Sequence, residues 1–186
     1  MSPVAAHGPD SPSPWIARFA PLIAPGARVL DLACGRGRHS RFLAARLCDV
    51  VAIDRDAQAL ASLADVPRIT TMAADLERGD WPLAGARFDA VVVANYLHRP
   101  LLPRLIAALA DDGVLLYETF AAGNEACGRP SNPDFLLAPG ELLTLASGRL
   151  TVIAFEQGQS NGARPAVVQR IAAVGPGRDW PPPLPG

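Results

Sequence analysis

The chain has 186 residues, of which 49% are apolar and 19% charged: enough apolar material for one domain with a full core, and too little charge for a disordered chain. The formal net charge is −1, so there is no basic excess to hold a phosphate backbone, and nucleic acid is not the expected partner. All 17 basic residues are arginines, which removes lysine as a base, nucleophile or Schiff-base partner.

Cys34, Cys48 and Cys127 are widely spaced, odd in number and in no zinc pattern; reduced thiols and no metal are expected. No apolar run approaches a membrane span, and the first residues lack the charged start and apolar stretch of a signal peptide. A cytoplasmic protein with no membrane partner is the expectation.

In chain order, residues 1–13 are rich in Pro, Ser and Gly and read as a flexible tail ahead of a domain over 14–175. A short helix follows, with Ser13 as N-cap and Pro14 in its first turn. Trp15, Phe19 and Ile23 recur on one face, as core or as a lid. Strands are predicted at about 28–32, 50–54, 68–72, 88–94 and 112–119, and helices at about 38–47, 56–64, 100–110 and 139–146. Alternation of this kind predicts a doubly wound, Rossmann-like α/β sheet. Two last strands, near 150–157 and 166–174, are joined by the turn-rich loop 158–165 with no helix, so they should form an antiparallel C-terminal hairpin and complete a seven-stranded sheet. Residues 176–186 are a Pro-rich tail expected to fray.

The most informative stretch is Val29-Leu-Asp-Leu-Ala-Cys-Gly-Arg-Gly-Arg-His-Ser40. It reads as strand, glycine turn and helix, the geometry of a nucleotide site at the end of a parallel sheet. Asp54 closes the second strand 19 positions after Gly35, the distance suited to a carboxylate on ribose hydroxyls. A nicotinamide fingerprint would need Gly or Ala where Ser40 stands, and has no fixed need for Asp31. The segment resembles motif I of the class I S-adenosylmethionine (SAM) dependent methyltransferases, acid-x-Gly-x-Gly-x-Gly, with Ala33 in place of the first glycine. The continuation from Gly35 through Arg38 and Ser40 is most similar to small bacterial methyltransferases of the tellurite-resistance type.

That resemblance implies SAM as cofactor. Asp31 would face its amino-acid part, Ala33, Gly35 and Gly37 would line it, and Arg38 would meet its carboxylate. Asp75 and Leu76, after the third strand, would clasp adenine, although Asp75 alone reads equally as a loop-capping carboxylate. The fourth strand is apolar throughout and delivers Asn95-Tyr96-Leu97-His98-Arg99 to its carboxyl end. Asn95 is assigned to the cofactor, and Tyr96 and Arg99 to the acceptor. Amino-group methyltransferases often place two prolines before the tyrosine here; their absence gives no support to methylation of an exocyclic amine.

The long loop after the fifth strand adds Asn124, Arg129 and Asn132 as acceptor-binding candidates, with Arg129 either gripping an anion or pairing with Glu118 or Glu125. His98 and Glu118 are the candidates for a general base, although a lone His is more often structural. The expected activity is SAM-dependent methyl transfer to a small-molecule acceptor, for which a soft acceptor needs little acid–base help. RNA or protein methylation, a SAM-binding module without turnover, and a nicotinamide oxidoreductase are the alternatives.

Overall fold

The computed structural model describes residues 10–160 and 165–183. A seven-stranded sheet runs in the order β3-β2-β1-β4-β5-β7-β6. Its strands are β1 (Arg28–Leu32), β2 (Asp49–Asp54), β3 (Ile69–Ala73), β4 (Phe88–Ala94), β5 (Leu109–Phe120), β6 (Thr151–Ser160) and β7 (Ala166–Val174). The first five are parallel, and β7 pairs antiparallel with both β5 and β6. The Rossmann-like sheet with its antiparallel hairpin is the one expected. Part of the hairpin loop, 161–164, lies outside the described residues, as do the tail residues 1–9 and 184–186.

Alternation in the strands splits the core into two layers, one on each sheet face. Val29, Val50, Val92 and Leu116 point to a layer packed under α1 (Pro14–Phe19), α2 (Arg38–Ala45) and α3 (Ala57–Ala61). Leu30, Ile53, Val91 and Leu115 point to the other, under α4 (Leu102–Ala107) and α5 (Glu141–Ala146). In α1 the Ser13 hydroxyl accepts from the Ile16 N–H at 3.0 Å, as an N-cap should. Trp15 and Phe19 are 3% and 2% exposed, their ring centroids 4.5 Å apart, and the Trp15 indole donates to the Ile171 carbonyl. They are core, not lid.

Three boundaries depart from the sequence reading. Helix α3 stops at Ala61 rather than 64: beyond it the Leu63 and Ala64 N–H groups bond three residues back, to Leu60 and Ala61, in successive turns. Helix α4 ends at Ala107, and Leu109, read as helical, instead begins β5 opposite Phe88. Between Leu109 and Val114 the chain bulges out of register, and this bulge has a use. The Gly175 N–H donates to the Gly113 carbonyl and the Gly177 N–H to the Asp111 carbonyl, each at 2.8 Å. Arg178 then donates to the Leu22 carbonyl at 2.7 Å. The tail expected to fray from residue 176 is therefore held down as far as Arg178.

Gly175 sits so close to the bulge that an added Cβ would collide with the Asp111 carbonyl. Gly175→Ala should lower unfolding free energy by about 1–3 kcal/mol through forced backbone movement. Gly148→Ala is the comparison: its φ is +68° with open space around it, so only the left-handed strain of about 1 kcal/mol applies. Urea unfolding that ranks the two variants in the opposite order would refute the docking of the tail.

Candidate active site

The glycine turn is built by hydrogen bonds between neighbouring strand ends. The Cys34 N–H donates to the Ile53 carbonyl and the Gly37 N–H to the Cys34 carbonyl. The Gly35 N–H donates to Asp54 Oδ2 at 2.7 Å, and Asp54 Oδ1 accepts from the Asp56 N–H at 2.9 Å. Ala33, Gly35 and Gly37 all have left-handed backbone, with φ of +53°, +55° and +75°. Ala33 thus occupies a conformation that glycine takes freely, and strain there is of order 1 kcal/mol. At Gly37 an added Cβ would press against the buried Leu63 side chain, which would have to move, on top of the left-handed strain.

Around this turn lies a cleft of about 290 Å³ at the carboxyl ends of the central strands. Ala33, Asp54 and Arg55 form one side, Ala74 to Glu77 another, and Asn95 and Tyr96 a third. Of the residues assigned to the cofactor, Ala33, Asp54, Asp75, Leu76 and Asn95 meet here. Asp75 Oδ1 caps its own loop by accepting from the Glu77 and Arg78 N–H groups, so the loop-capping role is real. Among the described residues the Leu76 N–H has no protein acceptor. Asn95 projects into the site from left-handed backbone, φ +57°, fixed by its N–H to the Glu118 carbonyl.

Asp31 does not line the cleft. It lies one layer beneath, 1% exposed, and accepts from the Ser40 hydroxyl at 2.5 Å. Burial pushes its carboxyl up to about 6, against the hydrogen bond from Ser40 and the charge of Arg38. Arg38 is half-buried at the start of α2. Beside it stands His39, which the sequence reading left out: it is buried, and its Nε2 accepts from the Ser13 N–H at 3.2 Å. Desolvation lowers its pKa to about 4, so it is neutral and able to accept. The only sequence signal for His39 was its place beside the glycine turn.

A second cavity of about 230 Å³ adjoins the first and shares Glu77, Asn95 and Tyr96 with it. Leu97, Thr119, Phe120, Pro130 and Phe135 complete it. It lies between the loops after β4 and β5, but its walls are not the polar set expected. Arg99 is committed elsewhere: Nε and Nη2 donate to the two Glu141 carboxylate oxygens, and the remaining donors reach the Asp134 and Leu136 carbonyls. It straps the long loop to α5. Asn124 is buried, donating to the Pro130 carbonyl and accepting from the Val167 N–H. Asn132 caps the turn at Asp134.

Arg129 is exposed and, among the described residues, in no ion pair. Glu118, 7% exposed, faces Arg170 at 3.4 Å, and Glu125 accepts from the Gly123 N–H. His98 is half-buried at the foot of the turn leading to α4, outside both cavities. The aromatic walls Phe120 and Phe135 escaped the sequence reading because they read simply as the edges of the long loop.

Residues 29–112 match the family model described as a methyltransferase domain. No curated protein matches the chain in sequence. Among solved structures, TehB from Haemophilus influenzae superposes with a TM-score of 0.72 at 20% identity, over 93% of this chain and 63% of that one. The chain thus spans under two-thirds of that protein's length. A TehB-like SAM-dependent methyltransferase from Corynebacterium glutamicum gives 0.61 at 21% identity, over 86% and 85%. The N-methyltransferase NodS from Bradyrhizobium japonicum gives 0.64 at 19%, over 86% and 90%. Residues 29–112 thus match a methyltransferase-domain model, and the chain shares its fold with solved SAM-dependent methyltransferases, TehB and a TehB-like protein among them. Among the described residues no helix is long and apolar enough to cross a membrane.

The buried carboxyl gives a test by pH. Asp31 binds its proton more tightly folded than unfolded, so its contribution to stability falls as pH rises from the unfolded value near 3.8 through about 6. Asp31→Asn keeps an acceptor for Ser40 and removes the titration. The variant should gain on wild type between pH 4 and pH 7 by up to about 3 kcal/mol. A stability difference independent of pH over that window would show that Asp31 does not titrate as described.

Proposed function

We propose that the protein transfers the methyl group of SAM to a small-molecule acceptor. The observation that supports this most directly is the pair of joined cavities at the carboxyl ends of the central strands: one walled by the Asp54 and Asp75 loops, the other meeting it at Asn95 and Tyr96. The donor set suits the cofactor. Asp54 retains lone pairs for ribose hydroxyls after accepting from two backbone groups, and Asp75 Oδ2 with the Leu76 N–H offers the acceptor and donor that an adenine edge requires. Bound there, SAM would supply an electrophilic sulfonium methyl.

What the chain contributes is positioning. The glycine turn and Asp54 fix one end of the cleft, and Tyr96 and Asn95 stand where the two cavities join. Holding the acceptor atom in line and keeping water out accounts for much of the rate in such a transfer. Among the described residues lining the two cavities, the groups able to take up a proton are carboxylates. The second cavity is small and bounded by the tied-down loop after β5, which favours a small molecule over a polymer. The near-neutral net charge argues in the same direction against RNA.

Calorimetry should show S-adenosylhomocysteine binding and NAD not binding. Asp54→Ala should weaken S-adenosylhomocysteine by ~10–100-fold, through loss of charged hydrogen bonds worth about 1.5–3 kcal/mol and of the clasp on the Gly35 N–H. NAD binding in preference, or an Asp54→Ala variant that binds as tightly as wild type, would overturn the assignment.

A further inference from the structure

Glu77 is the one acidic residue common to both cavities, and neither the ribose nor the adenine role uses it. It lies on the same short loop as Asp75 and is exposed to the space between them. Opposite it in the second cavity are three aromatic side chains, Tyr96, Phe120 and Phe135. Among the described residues lining that cavity none carries a positive charge: Arg99 is engaged with Glu141, and Arg129 is exposed and not part of the lining. The Tyr96 hydroxyl is buried and has no hydrogen-bond partner, a costly arrangement unless a ligand supplies one.

These features have a common sign. Aromatic faces attract cations, and a carboxylate beside them adds direct charge attraction. The same set repels an oxyanion: Glu77, Asp75 and Asp54 line the first cleft, where among the described residues Arg55 is the one cation. Resting on the methyltransferase reading, we propose that the acceptor is a small aliphatic amine with an apolar body, drawn in as its ammonium by Glu77 and the rings of Tyr96, Phe120 and Phe135.

An aliphatic amine has a localised lone pair, so it does not need the proline-flanked clamp that a delocalised exocyclic amine requires. After its ammonium proton passes to water or to the Glu77 carboxylate, the nitrogen pair forms a bond to the methyl carbon as the carbon–sulfur bond breaks. Sulfur keeps that electron pair as a neutral thioether, and the positive charge moves to the methylated nitrogen.

The test is calorimetry on the full chain. S-adenosylhomocysteine is titrated first; if it does not bind, the methyltransferase reading itself has failed. With it bound, phenethylamine, 2-phenylethanol, phenylacetate and selenite are compared at pH 7. Phenethylamine should bind at least ~10-fold more tightly than phenylacetate, with the alcohol between them and selenite not detected. Glu77→Gln, a change at an exposed position, should reduce the amine-to-carboxylate ratio to within ~3-fold, and Phe135→Ala, which alters only the second cavity, should weaken the amine and leave S-adenosylhomocysteine affinity as it was. With S-adenosylhomocysteine bound, any of three results overturns the proposal: phenylacetate or selenite binding as well as the amine, no probe binding, or a ratio that Glu77→Gln leaves unchanged.

Discussion

One charged hydrogen bond, from the Gly35 N–H to Asp54 Oδ2 at 2.7 Å, sets the shape of the cleft. It joins the turn after β1 to the end of β2, and a bond between a backbone N–H and an ionised carboxylate is among the stronger kinds. Because the turn is pulled toward β2, Ala33 is forced into left-handed backbone, and Gly37 must come within contact of Leu63. The same turn directs α2 so that Ser40 falls over Asp31 and His39 falls beneath Ser13. The cleft, the buried carboxyl below it and the anchorage of α1 are thus linked through one clasp.

Ala33 shows why such a clasp is needed. A turn that holds a side chain at φ +53° gives up of order 1 kcal/mol relative to glycine. The surrounding contacts over-determine it: Cys34 is tied to Ile53, Gly35 to Asp54, and Gly37 back to Cys34. Asp31 carries a second cost, the burial that raises its pKa, which the Ser40 hydrogen bond offsets in part. Strain and a desolvated acid meet within three residues of each other at the end of β1. Such clustering is characteristic of sites where the fold is shaped for a ligand and not for stability alone.

The backbone plan was legible in the sequence because each strand carries its own evidence. The apolar run of β4 announces a central strand, and the missing helix between β6 and β7 announces the hairpin. Asp54 and Asp75 were legible for the same reason: each follows a recognisable strand at the end where ligands gather. The second cavity was not. Arg99 after β4, and Asn124 and Asn132 in the long loop after β5, are polar residues at strand ends, the pattern that sequence reading takes for ligand binding. In the fold Arg99 holds the loop to α5, Asn124 holds it to β7, and Asn132 caps a turn within it. A loop of that length has many backbone groups to satisfy, and polar side chains near it are the nearest supply. The walls fall instead to Phe120, the last residue of β5, and Phe135, an apolar residue in the loop with no periodic signal.

That exchange bears on how the site selects. Had Arg99 and Arg129 faced the cavity, its potential would be positive and an anion would be the natural occupant. With Arg99 neutralised by Glu141, the charges left around the joined cavities are Asp54, Asp75 and Glu77 against Arg55. An acidic entrance and an aromatic interior admit a cation with an apolar body and oppose an oxyanion at the mouth. Tyr96 stands at the junction with its hydroxyl enclosed and unpartnered, and burial together with the neighbouring Glu77 and Asp75 charges raises its pKa to about 12. It therefore remains a neutral phenol, available as a hydrogen-bond donor to whatever occupies the junction. The selectivity of the site accordingly depends on the loop around Asp75 as much as on the long loop after β5.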